Sequence, residues 1–204
     1  LENAPNEFLR WEKTATWNGG LDLGFLRNRI LVGIDLYHRV SSDLIGLRSL
    51  PLETGFDYSN QNWAQVTNKG FEISLTTKNI QKSNFSWTTN FNISKNINNV
   101  DKFQIKVNDI TPSIQGHPVN GVFGYKTAGL DDQGYPLLWK DGKKVSIMDA
   151  FQLYDIGGWS YPSLSEKEQR DMYSYLGDKD PKLSGGITNN FSYKGLSLYI
   201  SMNF

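Results

Sequence analysis

From Trp11 to Phe25 apolar and polar side chains alternate without a break in register, for far longer than a strand of a water-soluble sheet normally runs. The odd positions read Trp11, Lys13, Ala15, Trp17, Gly19, Leu21, Leu23, Phe25, and the even ones Glu12, Thr14, Thr16, Asn18, Gly20, Asp22, Gly24. Successive side chains of a strand point to opposite faces, so such a segment has one apolar and one wet face. Soluble strands average about 5 to 6 residues, whereas a tilted strand crossing a bilayer needs about 9 to 11. This segment is long enough to cross a membrane and protrude.

The pattern recurs. Ile30, Val32, Ile34, Leu36, His38 and Val40 alternate with a more polar set that includes Arg29, Asp35 and Arg39. Phe71, Ile73 and Leu75 alternate with Gly70, Glu72, Ser74 and Thr76, and Phe85, Trp87, Thr89, Phe91 and Ile93 with Ser86, Thr88, Asn90, Asn92 and Ser94. A last pair comprises Leu183–Tyr193 and Leu196–Phe204, joined by Lys194-Gly195. These predict six strands at about 11–25, 29–42, 65–77, 84–97, 182–193 and 196–204, all part of one domain spanning 1–204.

Connections alternate between short (26–28, 78–84, 194–195) and long (about 43–64 and 98–181). Outer-membrane barrels have short periplasmic turns and long extracellular loops, so the short turns are expected in the periplasm and the long loops outside. Phe25, Phe85, Trp87, Phe191 and Tyr193 lie near short turns on the apolar face, where an aromatic girdle would meet the headgroups. The expected fold class is all-β, an antiparallel transmembrane β-barrel segment. Both chain ends then fall on the long-loop side, and six strands are fewer than the roughly eight of small bacterial barrels. The expectation is therefore an interior fragment of a barrel wall.

Composition agrees. Mean hydropathy is −0.48 although 13% of residues are aromatic, a balance suited to a barrel. No window approaches the ~18 continuous apolar residues of a membrane helix. A net charge of zero gives no nucleic-acid footprint, and the absence of cysteine removes disulfides and thiolate chemistry.

Within 98–181, Asp132-Gln133-Gly134 and Lys140-Asp141-Gly142 bracket Tyr135–Trp139 and predict a small meander. Ser165-Glu166-Lys167-Glu168 has the form of a capping box and predicts a helix to about Leu176. Asp131, Asp132 and Asp141 read as turn acids rather than calcium ligands. His38 and His117 are too far apart in sequence to suggest a triad or zinc site, and no catalytic, metal or cofactor site is expected. Tyr125, Trp139, Trp159 and Tyr161, with Tyr135, are the candidate ligand-binding residues. Such rings either stack on sugars or apolar peptide side chains, or pack the loop's own small core.

Several motifs, in order, resemble the SusC/RagA family of TonB-dependent outer-membrane transporters. Asn6-Glu7-Phe8-Leu9-Arg10-Trp11-Glu12-Lys13 resembles a family strand entry, although Glu7 stands where proline is usual. Asp43-Leu44-Ile45, Asn68-Lys69-Gly70-Phe71-Glu72 and Gly124-Tyr125-Lys126-Thr127-Ala128-Gly129-Leu130-Asp131 follow. Asp180-Pro181-Lys182 and the Gly185–Gly195 stretch complete the series. The resemblance implies a 22-stranded barrel with its plug domain absent from this chain. It also implies uptake of oligosaccharides or peptides, TonB acting through a missing N-terminal part, and a SusD-like surface lipoprotein as partner. The alternative is a non-transporting β-protein, either a carbohydrate-binding sandwich or an adhesive outer-membrane barrel.

Overall fold

The computed structural model describes residues 3–103, 111–156 and 159–204. In chain order its elements are β1 (Lys13–Phe25), β2 (Ile30–Ser49), β3 (Tyr58–Lys82), β4 (Phe85–Lys102), β5 (Gly121–Tyr125), β6 (Thr127–Leu130), β7 (Pro136–Lys140) and β8 (Lys143–Ser146). Helix α1 (Ile147–Phe151), β9 (Leu153–Ile156), β10 (Trp159–Pro162), α2 (Glu166–Asp171), β11 (Tyr173–Asp178), β12 (Ser184–Tyr193) and β13 (Leu196–Asn203) complete it. Six strands form one antiparallel sheet in the order β1-β2-β3-β4-β12-β13. The segment between β4 and β12 folds on itself as three small sheets, β11-β5, β6-β7-β8 and β10-β9.

The register gathers the alternating residues into continuous stripes. Leu23, Val32, Leu75, Phe91, Ile187 and Met202 are successive partners across the whole sheet, and Leu21, Ile34, Ile73 and Ile93 form the next apolar row. Between these rows, on the opposite face, run Asp22, Gly33, Ser74, Asn92, Gly186 and Asn203. Among the described residues nothing covers the apolar face. Among the described residues the buried hydrophobic side chains are Val100, Leu138, Ala150 and Leu164, none of them in these apolar rows, whereas Trp17, Leu21, Phe25, Leu36, Leu198 and Met202 are exposed. A sandwich would bury that face against a second sheet; a membrane wall leaves it to lipid.

The short turns have the chemistry expected of them. Lys194 and Gly195 adopt positive φ of 43° and 85°, the twist of a two-residue hairpin. Near the turns, Trp87 stacks on Phe191 with centroids 5.5 Å apart, and Phe85 pairs with Tyr193. The apolar face is not uniformly apolar there. Asn79 is the extra residue of a bulge; it accepts from Thr77 Oγ1 at 3.0 Å and donates to Thr89 Oγ1 at 2.7 Å. Thr89 and Trp87 Nε1 both donate to Asn189 Oδ1, at 2.7 and 3.0 Å. These polar groups on the lipid side are thus paired with one another, as an apolar surrounding requires.

Several boundaries differ from expectation, β3 running on to Lys82 and β4 to Lys102 where the expected strands stop at about 77 and 97. The connection expected over 43–64 is mostly strand: β2 continues to Ser49 and β3 begins at Tyr58. Pairing passes through bulges at Ser41, Leu44 and Ile45, with Asp43 at φ 54° held by Arg10 at 2.9 Å and Lys13 at 3.0 Å. Asn62 Nδ2 donates to the carbonyls of Asp43 and Arg10, both at 2.7 Å. Above a membrane both faces are wet, so polar side chains carry the pairing and the apolar alternation stops while the ladder does not. The helix expected to reach Leu176 ends at Asp171, and Tyr173–Asp178 is a strand paired with β5. Its Tyr-Ser-Tyr alternation outweighs the capping signal once β5 offers an edge.

The two faces yield a direct test. Arginine at Ile93 should destabilise the membrane-embedded barrel by about 2 to 4 kcal/mol, while arginine at Asn92, one residue away on the polar face, should cost little. Urea unfolding in lipid vesicles measures both; equal losses would refute the assignment of faces.

Candidate functional site

The polar face of the sheet and the folded segment above it form the candidate site. On the sheet, hydroxyl and amide side chains meet across strands: Thr76 Oγ1 donates to Asn90 Oδ1 at 2.9 Å, and the hydroxyls of Ser94 and Ser184 lie 2.9 Å apart. Tyr37 lies over Gly70, where an added Cβ would come within 2.6 Å of its hydroxyl oxygen, and donates to Asn96 Oδ1 at 2.9 Å. Glycine is required at 70 because β2 reaches β4 across it. A hollow of about 400 Å³ is lined by Asp35, Glu72, Ser74, Asn92, Ser94 and Ser184. A second, of about 290 Å³, continues it past Tyr37 and Asn98 to Asp178 and Asp180.

The folded segment is tied to the top of β4. Val100 donates its N–H to the carbonyl of His117 at 2.9 Å and accepts from Gly116 at 2.8 Å, and its side chain is only 2% exposed. Val119 N–H donates to Asn98 Oδ1 at 2.7 Å, and Asn120 Nδ2 to Asp180 at 3.0 Å. Turn acids act as expected, with Asp131 accepting from the amides of Gln133 and Tyr135 at 2.9 and 2.8 Å. Ser165 caps α2 in a full capping box. The Ser165 hydroxyl, and then its amide, hold the Glu168 carboxyl below its usual range.

The four sequence-derived ligand residues fall in different settings. The Tyr125 ring meets Phe151 edge-on at 5.0 Å and Tyr173 at 4.6 Å, so it packs within the folded segment. Burial, followed by the Tyr173 hydrogen bond, pushes its phenol up to about 12. Trp139 is partly exposed, with Lys144 Nζ 5.6 Å from its ring centre, and its ring remains open to a ligand. Trp159 and Tyr161 lie on β10, paired with Ile156 and Tyr154 of β9; their side chains are outside the described part of the structure.

A second aromatic group was not anticipated. His117 stacks on Tyr175 at 4.6 Å, and Phe123 meets both edge-on, at 5.2 and 5.7 Å. With Arg170 and Asp171 these rings line a hollow of about 440 Å³. Alternation over Tyr173, Ser174 and Tyr175 is the signal that would have placed Tyr175 on a strand face beside Phe123. The assembly offers hydroxyls, amides, ring faces and a few carboxylates. That chemistry suits hydrogen bonding and stacking with a hydroxyl- or amide-rich solute.

Comparison with known proteins places the chain. The family model "TonB dependent receptor-like, beta-barrel" matches residues 2–199. The TonB-dependent receptor SusC of Bacteroides thetaiotaomicron is 44% identical over 100 residues, which cover 48% of this chain and 10% of that protein. The TonB-dependent receptor P3 of Formosa agariphila is 26% identical over 213 residues, covering 97% of this chain and 21% of its own. Among solved structures, the RagAB peptide transporter superposes over the whole chain with a TM-score of 0.73 and 25% identity, over 22% of its own chain. The RagAB peptide importer in its open-open state gives 0.75 over 98% of this chain and 21% of that one. The chain thus spans about a tenth to a fifth of the curated relatives it matches.

Two outcomes follow from the packing of the folded segment. Replacing Tyr125 by alanine should loosen it by about 1 to 3 kcal/mol, seen as faster proteolysis or hydrogen exchange between 121 and 178, whereas alanine at Trp139 should leave exchange unchanged. Acidification acts on the cap. A carboxyl with a lowered folded pKa contributes stability above its unfolded pKa and loses it as pH falls through the folded value. Protection of the amides in the first turn of α2, taken relative to intrinsic exchange at each pH, should therefore fall at acid pH in the native chain and stay unchanged with pH in Glu168→Gln.

Proposed function

The chain belongs to the TonB-dependent receptor-like β-barrel family, and from that premise we propose that the protein carrying it imports oligosaccharides or peptides across the outer membrane with energy from TonB and with a SusD-like surface lipoprotein as partner. The observation that carries the reading is the sheet itself. One face is apolar, continuous and uncovered, while the other is lined by hydroxyls, amides and carboxylates around connected hollows. A wall of that kind separates lipid from an aqueous passage.

In this reading the short turns lie in the periplasm and the folded segment between β4 and β12 lies outside the cell. Trp139, Trp159 and Tyr161 are the residues assigned to solute or lipoprotein, and Tyr125 packs within the folded segment against Phe151 and Tyr173. RagAB is a peptide transporter, and the hydroxyl- and amide-lined wall of this chain suits peptides and sugars alike. A carbohydrate-binding sandwich is disfavoured because, among the described residues, no second sheet covers the apolar face.

The test is transport by the intact protein. Uptake of its nutrient should stop when the proton gradient is collapsed and when the gene is deleted; uptake that survives both would exclude energised import. Alanine at Trp139 and Trp159 together should weaken uptake or retention of a co-purifying lipoprotein while barrel assembly, read by heat-modifiable gel mobility, stays normal. Unchanged uptake and retention would assign these rings to internal packing.

A further inference from the structure

On three neighbouring strands the apolar run of the outward face is interrupted, towards the long-connection side, by a basic residue, with Val40 and Ile97 lying beyond His38 and Lys95. On β2 the run Ile30, Val32, Ile34, Leu36 is followed by His38. On β3 the run from Ile80 back to Phe71 ends at Lys69, and on β4 the run from Phe85 to Ile93 ends at Lys95. The register brings these together: His38 pairs with Lys69, Lys69 with Ile97, and Lys95 with Phe71. Lys69 and Lys95 are thus diagonal neighbours, about 7 to 8 Å apart at the backbone.

Neither lysine has an ion pair among the described residues, where the salt bridges are those of Asp43. The acid on the same stretch of β4, Asp101, is held by Gln65, Thr67 and Asn99 and interacts electrostatically with His38, so the two lysines carry the unpaired charge. A lysine facing lipid is costly at the bilayer midplane and nearly free at its boundary. The spans from Ile80 to Lys69 and from Phe85 to Lys95 match the roughly 9 to 11 residues of one crossing. The lysines therefore stand at headgroup depth, with unpaired positive charge turned outward.

Resting on the reading that the apolar face meets lipid, we propose that His38, Lys69 and Lys95 form a docking surface for the phosphate headgroup of a membrane lipid in the leaflet beside the long connections. Charge complementarity commits the site to an anionic lipid, and its continuity with the apolar stripe commits it to one whose chains lie in the same bilayer. The boundary beside the long connections would then combine these cations with the exposed Trp17, the cross-strand partner of His38, whereas the short-turn side carries the rings of Phe25, Phe85, Trp87, Phe191 and Tyr193.

The experiment uses the full-length protein in phosphatidylcholine nanodiscs doped with lipid A, or with lipid A stripped of its phosphates, and counts retained lipid by native mass spectrometry. Wild type should retain the phosphorylated form preferentially. The double variant Lys69→Gln/Lys95→Gln should lower that retention roughly tenfold, and Lys82→Gln at the short-turn side should not. Equal retention by wild type and the double variant, or an equal loss in Lys82→Gln, overturns the proposal. A spin label on Ile73→Cys separates the causes. If it is reached by oxygen in the bilayer and not by aqueous nickel, the lipid face stands and only the docking surface fails. If nickel reaches it, the lipid-face reading itself is wrong.

Discussion

A peptide group inside hydrocarbon has no water to bond, so every N–H and C=O at that depth must find a partner in the chain. The sheet is organised around this demand. Its strands pair residue for residue through the apolar rows, and where pairing is interrupted a side chain takes over. At the bulge between Lys78 and Ile80, the Arg29 guanidinium donates to the carbonyls of Lys78 and Asn79 at 3.1 and 2.9 Å. Even the polar side chains there are closed into one network through Asn79, Thr89, Asn189 and Trp87. Interruptions with looser geometry occur only beyond the apolar band, near Asp43 and Gln65, where water can stand in.

Legibility from sequence follows the same division. Between Phe85 and Ser94 the polar face has no exception and the lipid face has one, Thr89, which is held by Asn79 and Asn189, so the strand is readable residue by residue. The tops of β2 and β3 were not, since Asn60, Gln61 and Asn62 satisfy a ladder in water without any hydrophobic rhythm. The capping box at Ser165 was read correctly, but its helix was drawn too long: local propensity cannot anticipate that β5, some fifty residues earlier, supplies an edge for Tyr173–Asp178.

The candidate site was legible only as a set of residue types. Aromatic rings in a Gly-rich stretch announce either a binding surface or a small core, and in the folded segment the two settings are an enclosed ring and an exposed one. Tyr125 is enclosed by Phe151 and Tyr173, while Trp139 remains partly open. His117 was dismissed as a catalytic group, and its stacking on Tyr175 gives it a packing role that a search for nucleophiles and bases would pass over. The polar face of the sheet needed no motif. It is the remainder of the alternation once the lipid face has been assigned.

Alternation, however, leaves one degeneracy. A strand that slips by one residue turns its apolar set to the wrong face, but a slip of two restores it, so the hydrophobic pattern fixes the register of each pair only modulo two. The absolute register must come from features that do not repeat every second residue, and the Tyr37–Gly70–Asn96 crossing is one. Moving β3 by two against β2 would put Asn68 or Glu72 beneath the Tyr37 ring, where there is room for no side chain, and would carry the bulge carbonyls out of reach of Arg29. These few aperiodic contacts act as the key that selects one alignment from a ladder of near-equivalent ones, and a change at Gly70 or Arg29 would be felt as a misaligned wall rather than as a missing contact.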